Sequence, residues 1–252
     1  MADTRSKRGP EITLWDLVKR PDMGLARDFY DNVLSRCFPP DELMPWEDVK
    51  EALGASAPVQ TSVTLALRRD REVVGGVAAE WYERSRVLLL SYIAVRPDLQ
   101  GSGIGSQLRE VVPGWLRERN PLLAVGEVEP LDLVAAAAEH GDPERRLRLF
   151  SQWQGSVLQA RFLQPRLAPD QQRVPLLLIA FHLDPSVCCR FGREQSFSSE
   201  VLADFLDEYF TVTEGSRDFT KDPEYTGMLE SLRYTPCVRV IPLDEYLRAQ
   251  RP

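Results

Sequence analysis

Apolar residues recur at three-to-four spacing from Leu14 to Phe38, which predicts a helix ending at Pro39-Pro40. A shorter helix is expected over Trp46–Leu53, stopping at Gly54. The period then falls to two. Ser62–Arg68 alternates, Arg69-Asp70-Arg71 makes a turn, and Val73–Tyr82 continues as a strand. Gly75 and Gly76 within that strand predict a bulge or a close backbone approach. Val87–Val95 is almost wholly apolar, as for a strand buried on both faces. Pro97 ends it, a glycine-rich turn follows, and Gly105–Arg119 reads as a helix burying Leu108, Val111, Val112, Trp115 and Leu116. Pro113 falls inside that helix, with no account of it in the pattern.

Further on, Leu122–Val128 reads as a strand and Pro143–Trp153 as a helix with proline in its first turn. Strands at Val157–Leu163 and Leu176–Leu183 flank a proline-rich loop. Helices at Ser198–Thr211 and Pro223–Leu232 precede a short strand, Val238–Ile241. Strands and helices mixed in this order predict an α/β or α+β sheet layered with helices.

The chain has 252 residues, 43% hydrophobic and 27% charged, which excludes wholesale disorder and leaves room for one domain with an appendage. No apolar run is long enough to span a bilayer. Residues 1–10 are polar and basic, and read as a flexible tail rather than a secretory signal; Arg5, Lys7 and Arg8 there are not expected to bind nucleic acid. Four scattered cysteines (Cys37, Cys188, Cys189, Cys237) match no zinc or redox spacing and suit a reducing cytoplasm. With only His140 and His182, no metal site is expected. The five tryptophans are assigned to packing.

A net charge of −7 disfavours nucleic acid. Between Ser198 and Glu230 nine carboxylates face two basic residues, so this stretch carries the whole surplus. It reads either as a solvated helical face or as an acidic rim for a cationic acceptor or basic partner.

The segment VRPDLQGSGIGS, Val95–Ser106, carries the clearest chemistry. Its glycines let a backbone approach a ligand, and free amides at a helix start would converge on a phosphate or pyrophosphate. No Gly-Lys-Ser/Thr follows, which excludes a Walker loop; the segments that precede the loop disfavour a dinucleotide fingerprint, and a glycine-rich turn without a ligand is the bland alternative.

The apolar strand followed by Gln-x-x-Gly-x-Gly at Gln100–Gly105 resembles the acetyl-CoA signature of the GCN5-related N-acetyltransferase (GNAT) family. The resemblance covers about Leu14–Leu183. Strings at Glu127–Pro130, Gly141–Phe150 and Phe162–Pro165 are similar to an actinobacterial-type branch. It implies an acyltransferase fold whose mixed sheet splays after the signature strand: a tail over 1–10, a catalytic domain over 11–190, and a mainly helical acidic extension over 191–252 packed on the core. It implies acetyl-CoA as cosubstrate, the pantetheine arm on the backbone of Ile93, Ala94 and Val95, and the pyrophosphate held by Gln100, Gly101, Ser102, Gly103, Ile104, Gly105 and Ser106.

By the same resemblance the acceptor is a primary amine, expected on a small molecule; composition and charge add the expectation of no metal, nucleic acid or membrane partner, in the cytoplasm. The usual general-acid tyrosine falls at Phe150, which cannot donate a proton. For the base, Glu127 and Glu129 are two apart and share a strand face if the strand stays regular, and Glu80 is a further candidate. The carboxylates could instead pair with Arg145 or Arg146, or lie in solvent. Tyr82 or Tyr92 could replace the missing phenol; His140 reads as a surface residue and His182 as structural. The alternatives are an acyl-CoA-binding module without turnover, and a protein N-acetyltransferase.

Overall fold

A ten-stranded sheet organises the protein, in the order β1-β2-β3-β4-β5-β9-β6-β12-β11-β10. The computed structural model describes residues 11–40, 42–54, 57–131, 143–191, 194–215 and 218–250. The expected tail over 1–10, and His140, lie outside the described residues. The strands are β1 (Thr13–Asp16), β2 (Gln60–Leu67), β3 (Val73–Tyr82), β4 (Val87–Val95), β5 (Leu123–Val128), β6 (Ser156–Leu158), β9 (Leu177–Leu183), β10 (Cys188–Phe191), β11 (Glu194–Ser198) and β12 (Cys237–Pro242). A small separate pair joins β7 (Leu163–Gln164) to β8 (Val174–Pro175). Within the large sheet β4 and β5 run parallel, and the other neighbours are antiparallel.

Helices cover both faces. On one lie α1 (Met23–Phe29), a π-helical turn at Tyr30–Leu34, α2 (Ser35–Cys37), α3 (Trp46–Ala52), α7 (Ser199–Glu214) and α8 (Pro223–Arg233). On the other lie α4 (Ile104–Arg109), α5 (Val112–Arg119), α6 (Pro143–Gln152) and α9 (Leu243–Ala249). No helix among the described residues is long and apolar enough to cross a membrane.

The central strands form where their periodicity places them, but the first helix does not reach back to Leu14. Thr13–Asp16 is an edge strand on β2, and the helix begins after Pro21, where the Asp22 side chain accepts the amides of Gly24 and Leu25. The helix expected over Gly105–Arg119 is two helices. Pro113 sits in the first turn of α5, where its missing N–H breaks no helical bond. The strand expected over Val157–Leu163 divides into β6 and β7. Gly75 and Gly76 mark a close approach: a Cβ would lie 2.8 Å from the Ala94 carbonyl oxygen at the first and 2.7 Å from the Phe29 ring at the second.

The C-terminal segment is part of the core. β12 pairs with both β6 and β11, and Phe197, Leu202, Phe205 and Leu206 are buried in one cluster with Tyr82, Leu89 and Val125. Its acidic surplus is largely engaged: Asp207 pairs with Arg84 at 2.6 Å, Glu208 accepts the Arg84 and Ser85 amides, and Glu214 and Asp222 hold the fully buried Arg173. The reading of four scattered thiols needs correction. Cys189 on β10 and Cys237 on β12 form a disulfide, leaving Cys37 and Cys188 free. Forty-eight residues separate that pair, and only the pairing of both strands with β11 brings them together.

Candidate active site

β4 and β5 pair from Val87 with Leu123 to Leu90 with Gly126, and then part. β5 continues on β9 through Val128, so the β5-facing edge of β4 beyond Leu90 has no strand partner among the described residues. A bulge falls at the same level. Ala78 opposes Tyr92 and Glu80 opposes Leu89, which gives β4 one residue more than β3 between those pairs. Strict alternation of Leu89, Ser91 and Ile93 is therefore interrupted.

The open edge borders a groove of about 510 Å³ between β4, the glycine loop and α6. The Val95 carbonyl oxygen there receives only long contacts, 3.5 Å from Cys37 Sγ and 3.4 Å from Gln100 Nε2. An extended ligand with an amide could replace them as a further strand would. Burial pushes the Cys37 thiol up to about 11, so it stays protonated beside that carbonyl.

Gly101 and Gly103 have φ of +83° and +93°, values that favour glycine. Gly103 caps α4 without any side-chain bond, which leaves the first amides of that helix free. Arg145 donates to Gln100 Oε1 at 3.2 Å, and Arg146 and Arg148 also line the groove. Free amides beside arginines are suited to an anion.

Of the expected cofactor residues, Ile93, Ala94, Val95, Gln100, Gly101, Gly103, Gly105 and Ser106 line this groove. The Ile104 side chain is fully buried and offers only its backbone, and the Ser102 hydroxyl is buried without a hydrogen-bond partner. The arginines were not singled out as ligands. Their signal was present in the basic run of Gly141–Phe150, where Arg145 and Arg148 are one helical turn apart.

On the α7 face of the sheet three apolar rows end in polar groups at one level. Tyr82 is followed by Glu80 along β3, Leu89 by Ser91 along β4, and Val125 by Glu127 along β5. These groups border a narrow cleft together with Tyr92, Gln164 and Tyr209. Glu80 accepts from Ser91 Oγ at 2.7 Å and from the Tyr82 hydroxyl at 2.8 Å. Glu127 Oε2 accepts from Gln164 Nε2 at 2.9 Å and the Tyr209 hydroxyl at 3.4 Å, while its Oε1 is buried without a partner.

Burial raises the Glu127 carboxyl from its ordinary 4.5 to about 7; the two hydrogen bonds oppose the rise and the Glu80 charge adds to it. Glu80 is raised by burial too, against the bonds from Ser91 and Tyr82. Neither carboxylate pairs with Arg145 or Arg146. Arg145 is held by Gln100, and the Arg146 guanidinium lies over the Phe38 ring.

The remaining candidates sit differently. β5 ends at Val128, so Glu129 does not continue the row and borders neither cleft nor groove. The Tyr92 hydroxyl reaches the cleft but accepts from the Met44 amide at 3.1 Å and lies 3.4 Å from the Glu42 carbonyl oxygen; burial raises its phenol. Phe150 packs on Trp153 and Phe181 on the opposite face, against the groove. His182 lies on β9, opposite Ala124. Tyr209 and Gln164 escaped sequence reasoning, because nothing local links them to Glu127. Among the described residues no group of three or more His, Cys, Asp or Glu is placed to hold a metal ion.

Comparison with known proteins gives this geometry a context. Residues 27–137 match the model of the Acetyltransferase (GNAT) family. No curated protein matches the chain in sequence. Among solved structures, a Bacteroides thetaiotaomicron protein assigned to the GNAT acetyltransferases superposes with a TM-score of 0.50 at 15% identity, over 89% of this chain and 97% of that one. The catalytic domain of the Tetrahymena GCN5 histone acetyltransferase, in complex with coenzyme A, gives 0.46 at 16% identity over 69% and 96%. The ribosomal-protein-S18-alanine N-acetyltransferase of Escherichia coli gives 0.45 at 16% over 68% and 92%. The protein has the mixed α/β GNAT acyltransferase fold, and its residues 27–137 are similar to the GNAT family model.

Proposed function

We propose that this GNAT-fold protein moves an acetyl group from acetyl-CoA to a primary amine of a small molecule, by direct attack of the amine on the thioester. The observation that carries the reading is one juxtaposition. The free β4 edge and the glycine loop line a groove that shares Phe38 and Arg146 with the cleft of Glu127, whose Oε1 is buried without a partner. The strings at Glu127–Pro130, Gly141–Phe150 and Phe162–Pro165 support the actinobacterial-type branch.

The residues present fit the cosubstrate. Amides at 103–106, with Arg145 and Arg148 above them, would hold the pyrophosphate, and the β4 edge at Ile93–Val95 would pair with the pantetheine arm. Acetyl-CoA supplies an activated carbonyl carbon. Glu127 then removes a proton from the incoming ammonium through Oε1, while Gln164 and Tyr209 hold Oε2 and fix the carboxylate. Glu80, anchored by Ser91 and Tyr82, draws the ammonium into the cleft by its charge.

As the new C–N bond forms, the C–S bond breaks and its electron pair leaves with sulfur. A thiolate is a tolerable leaving group because thiols titrate near ~8.5. A phenyl ring at Phe150 therefore costs on the order of 10²-fold in rate rather than all of it. Phe150 also favours a second reading, an acyl-CoA-binding module without turnover.

Free-thiol release from acetyl-CoA with a panel of amines separates the two. Amine-dependent release that falls about 10²- to 10³-fold in Glu127→Gln, with CoA affinity retained, is the expected result. Binding of CoA with no release on any amine would leave the module reading.

A further inference from the structure

The cleft at Glu127 opens in two directions of opposite character. Toward the glycine loop it meets the arginine-lined groove. Away from it, the cleft shares Met44, Glu80, Leu167 and Thr213 with a vestibule of about 820 Å³. The cleft between them encloses about 40 Å³.

Charged residues of the vestibule are Asp48, Glu51, Glu80, Arg166 and Glu214. Arg166 pairs with Glu214 at 3.0 Å, and Glu214 together with Asp222 also holds Arg173, so two cations meet two carboxylates there and the other three carboxylates give the chamber its sign. Asp48 and Glu51 stand three apart on α3, hence on one face of the helix, and both are exposed. The nearby Lys50 pairs with Glu47, 3.5 Å away. Deeper in, Glu127 lines the cleft, and its Oε1 is buried without a hydrogen-bond partner. The path thus offers a negative site at each end.

We infer that the acceptor is a di- or polyamine, one ammonium reaching Glu127 through the cleft while a second stays against Asp48 and Glu51. This rests on the amine-acetylation reading and specifies which amine. A simple monoamine leaves Asp48 and Glu51 without a counter-charge, and an anionic acceptor is repelled by all three carboxylates.

Equilibrium binding tests the inference without depending on turnover. The full chain, saturated with CoA, is titrated calorimetrically with an α,ω-diaminoalkane series and with n-alkylamines of equal chain length. The best diamine should bind about tenfold tighter than its matched monoamine at low salt. That advantage should shrink as salt rises and vanish in the Asp48→Asn, Glu51→Gln double variant. Both positions are exposed on α3, so the double variant should keep its melting temperature.

Equal affinities for diamine and monoamine, or a diamine advantage that survives the double substitution, would overturn the inference. Thiol release is read separately. Selective diamine binding without release upholds the acceptor class and defeats the catalytic reading. Release at equal kcat/KM from monoamines and diamines does the reverse.

Discussion

The Tyr209 hydroxyl lies 3.4 Å from Oε2 of Glu127, joining a helix of the C-terminal segment to the strand that parts from β4. Gln164, on the small β7–β8 pair, donates to the same oxygen at 2.9 Å. One carboxylate oxygen is thus fixed from two sides and the other left free inside the protein. Tyr209 approaches from the face opposite Phe150, so a phenol is present at the site but does not occupy the place where the family resemblance puts one.

Tyr209 has a predictable effect on pH dependence. Its hydrogen bond favours the charged form of Glu127 and so opposes the rise in pKa. With the wild type, kcat should increase with pH through about 7 as Glu127 loses its proton. Tyr209→Phe removes the opposing bond, so the inflection should move to higher pH. A stopped assay of thiol release across pH checks it; an unmoved inflection would show that Tyr209 does not act on Glu127.

Glu127 should also cost stability, in a definite pH window. Its folded pKa, about 7, lies above the ordinary 4.5, so below pH 4.5 both states carry the proton and no cost arises. Between 4.5 and 7 the unfolded chain gives up its proton first, and stability is lost; above 7 the loss is complete. Glu127→Gln should therefore melt higher than wild type at pH 8, by an amount on the order of 3 kcal/mol, and match it near pH 4. Urea unfolding at the two pH values measures the difference.

Gly103→Glu should abolish CoA binding and lower stability by about 1–3 kcal/mol. No heavy atom lies within 4 Å of a Cβ built there, so the side chain fits, but φ of +93° strains any residue other than glycine. The new carboxylate would also stand among the amides expected to hold the pyrophosphate. Calorimetric titration with CoA reads the loss, and retained micromolar binding would move the anion site elsewhere.

Arg173 is the stability-critical cation. Its side chain is wholly buried, donating to Glu214 and Asp222 at 2.8 Å each and lying over the Phe210 ring at 4.8 Å. Arg173→Met would strand the buried Glu214 carboxylate, with Arg166 as its other cationic partner. A loss of about 3–5 kcal/mol follows for breaking a buried pair. Chemical denaturation should show it, whereas Lys50→Ala at an exposed pair should change stability by less than ~1 kcal/mol.

Much of this protein was legible in local pattern. Val73–Tyr82 and Val87–Val95 are strands with the bounds that their apolar runs predict, because an apolar run of that length bounded by turns has few other ways to bury itself. The glycine loop was legible for the same kind of reason: positive φ at Gly101 and Gly103 is a property of those residues and their neighbours. Glu80 and Glu127 could be singled out as carboxylates on strands.

What joined them was not local. Thr13–Asp16 became a strand because the edge of β2 lay beside it, and the bulge opposite Ala79 came from pairing between β3 and β4. Cys189 and Cys237, Arg173 with Glu214, and Tyr209 with Glu127 meet across 48, 41 and 82 residues. Local sequence fixed where chain segments bury their apolar faces, since periodicity carries that information. Tertiary packing decided which polar groups lost their water together, and desolvation is what raises the carboxyls of Glu80 and Glu127.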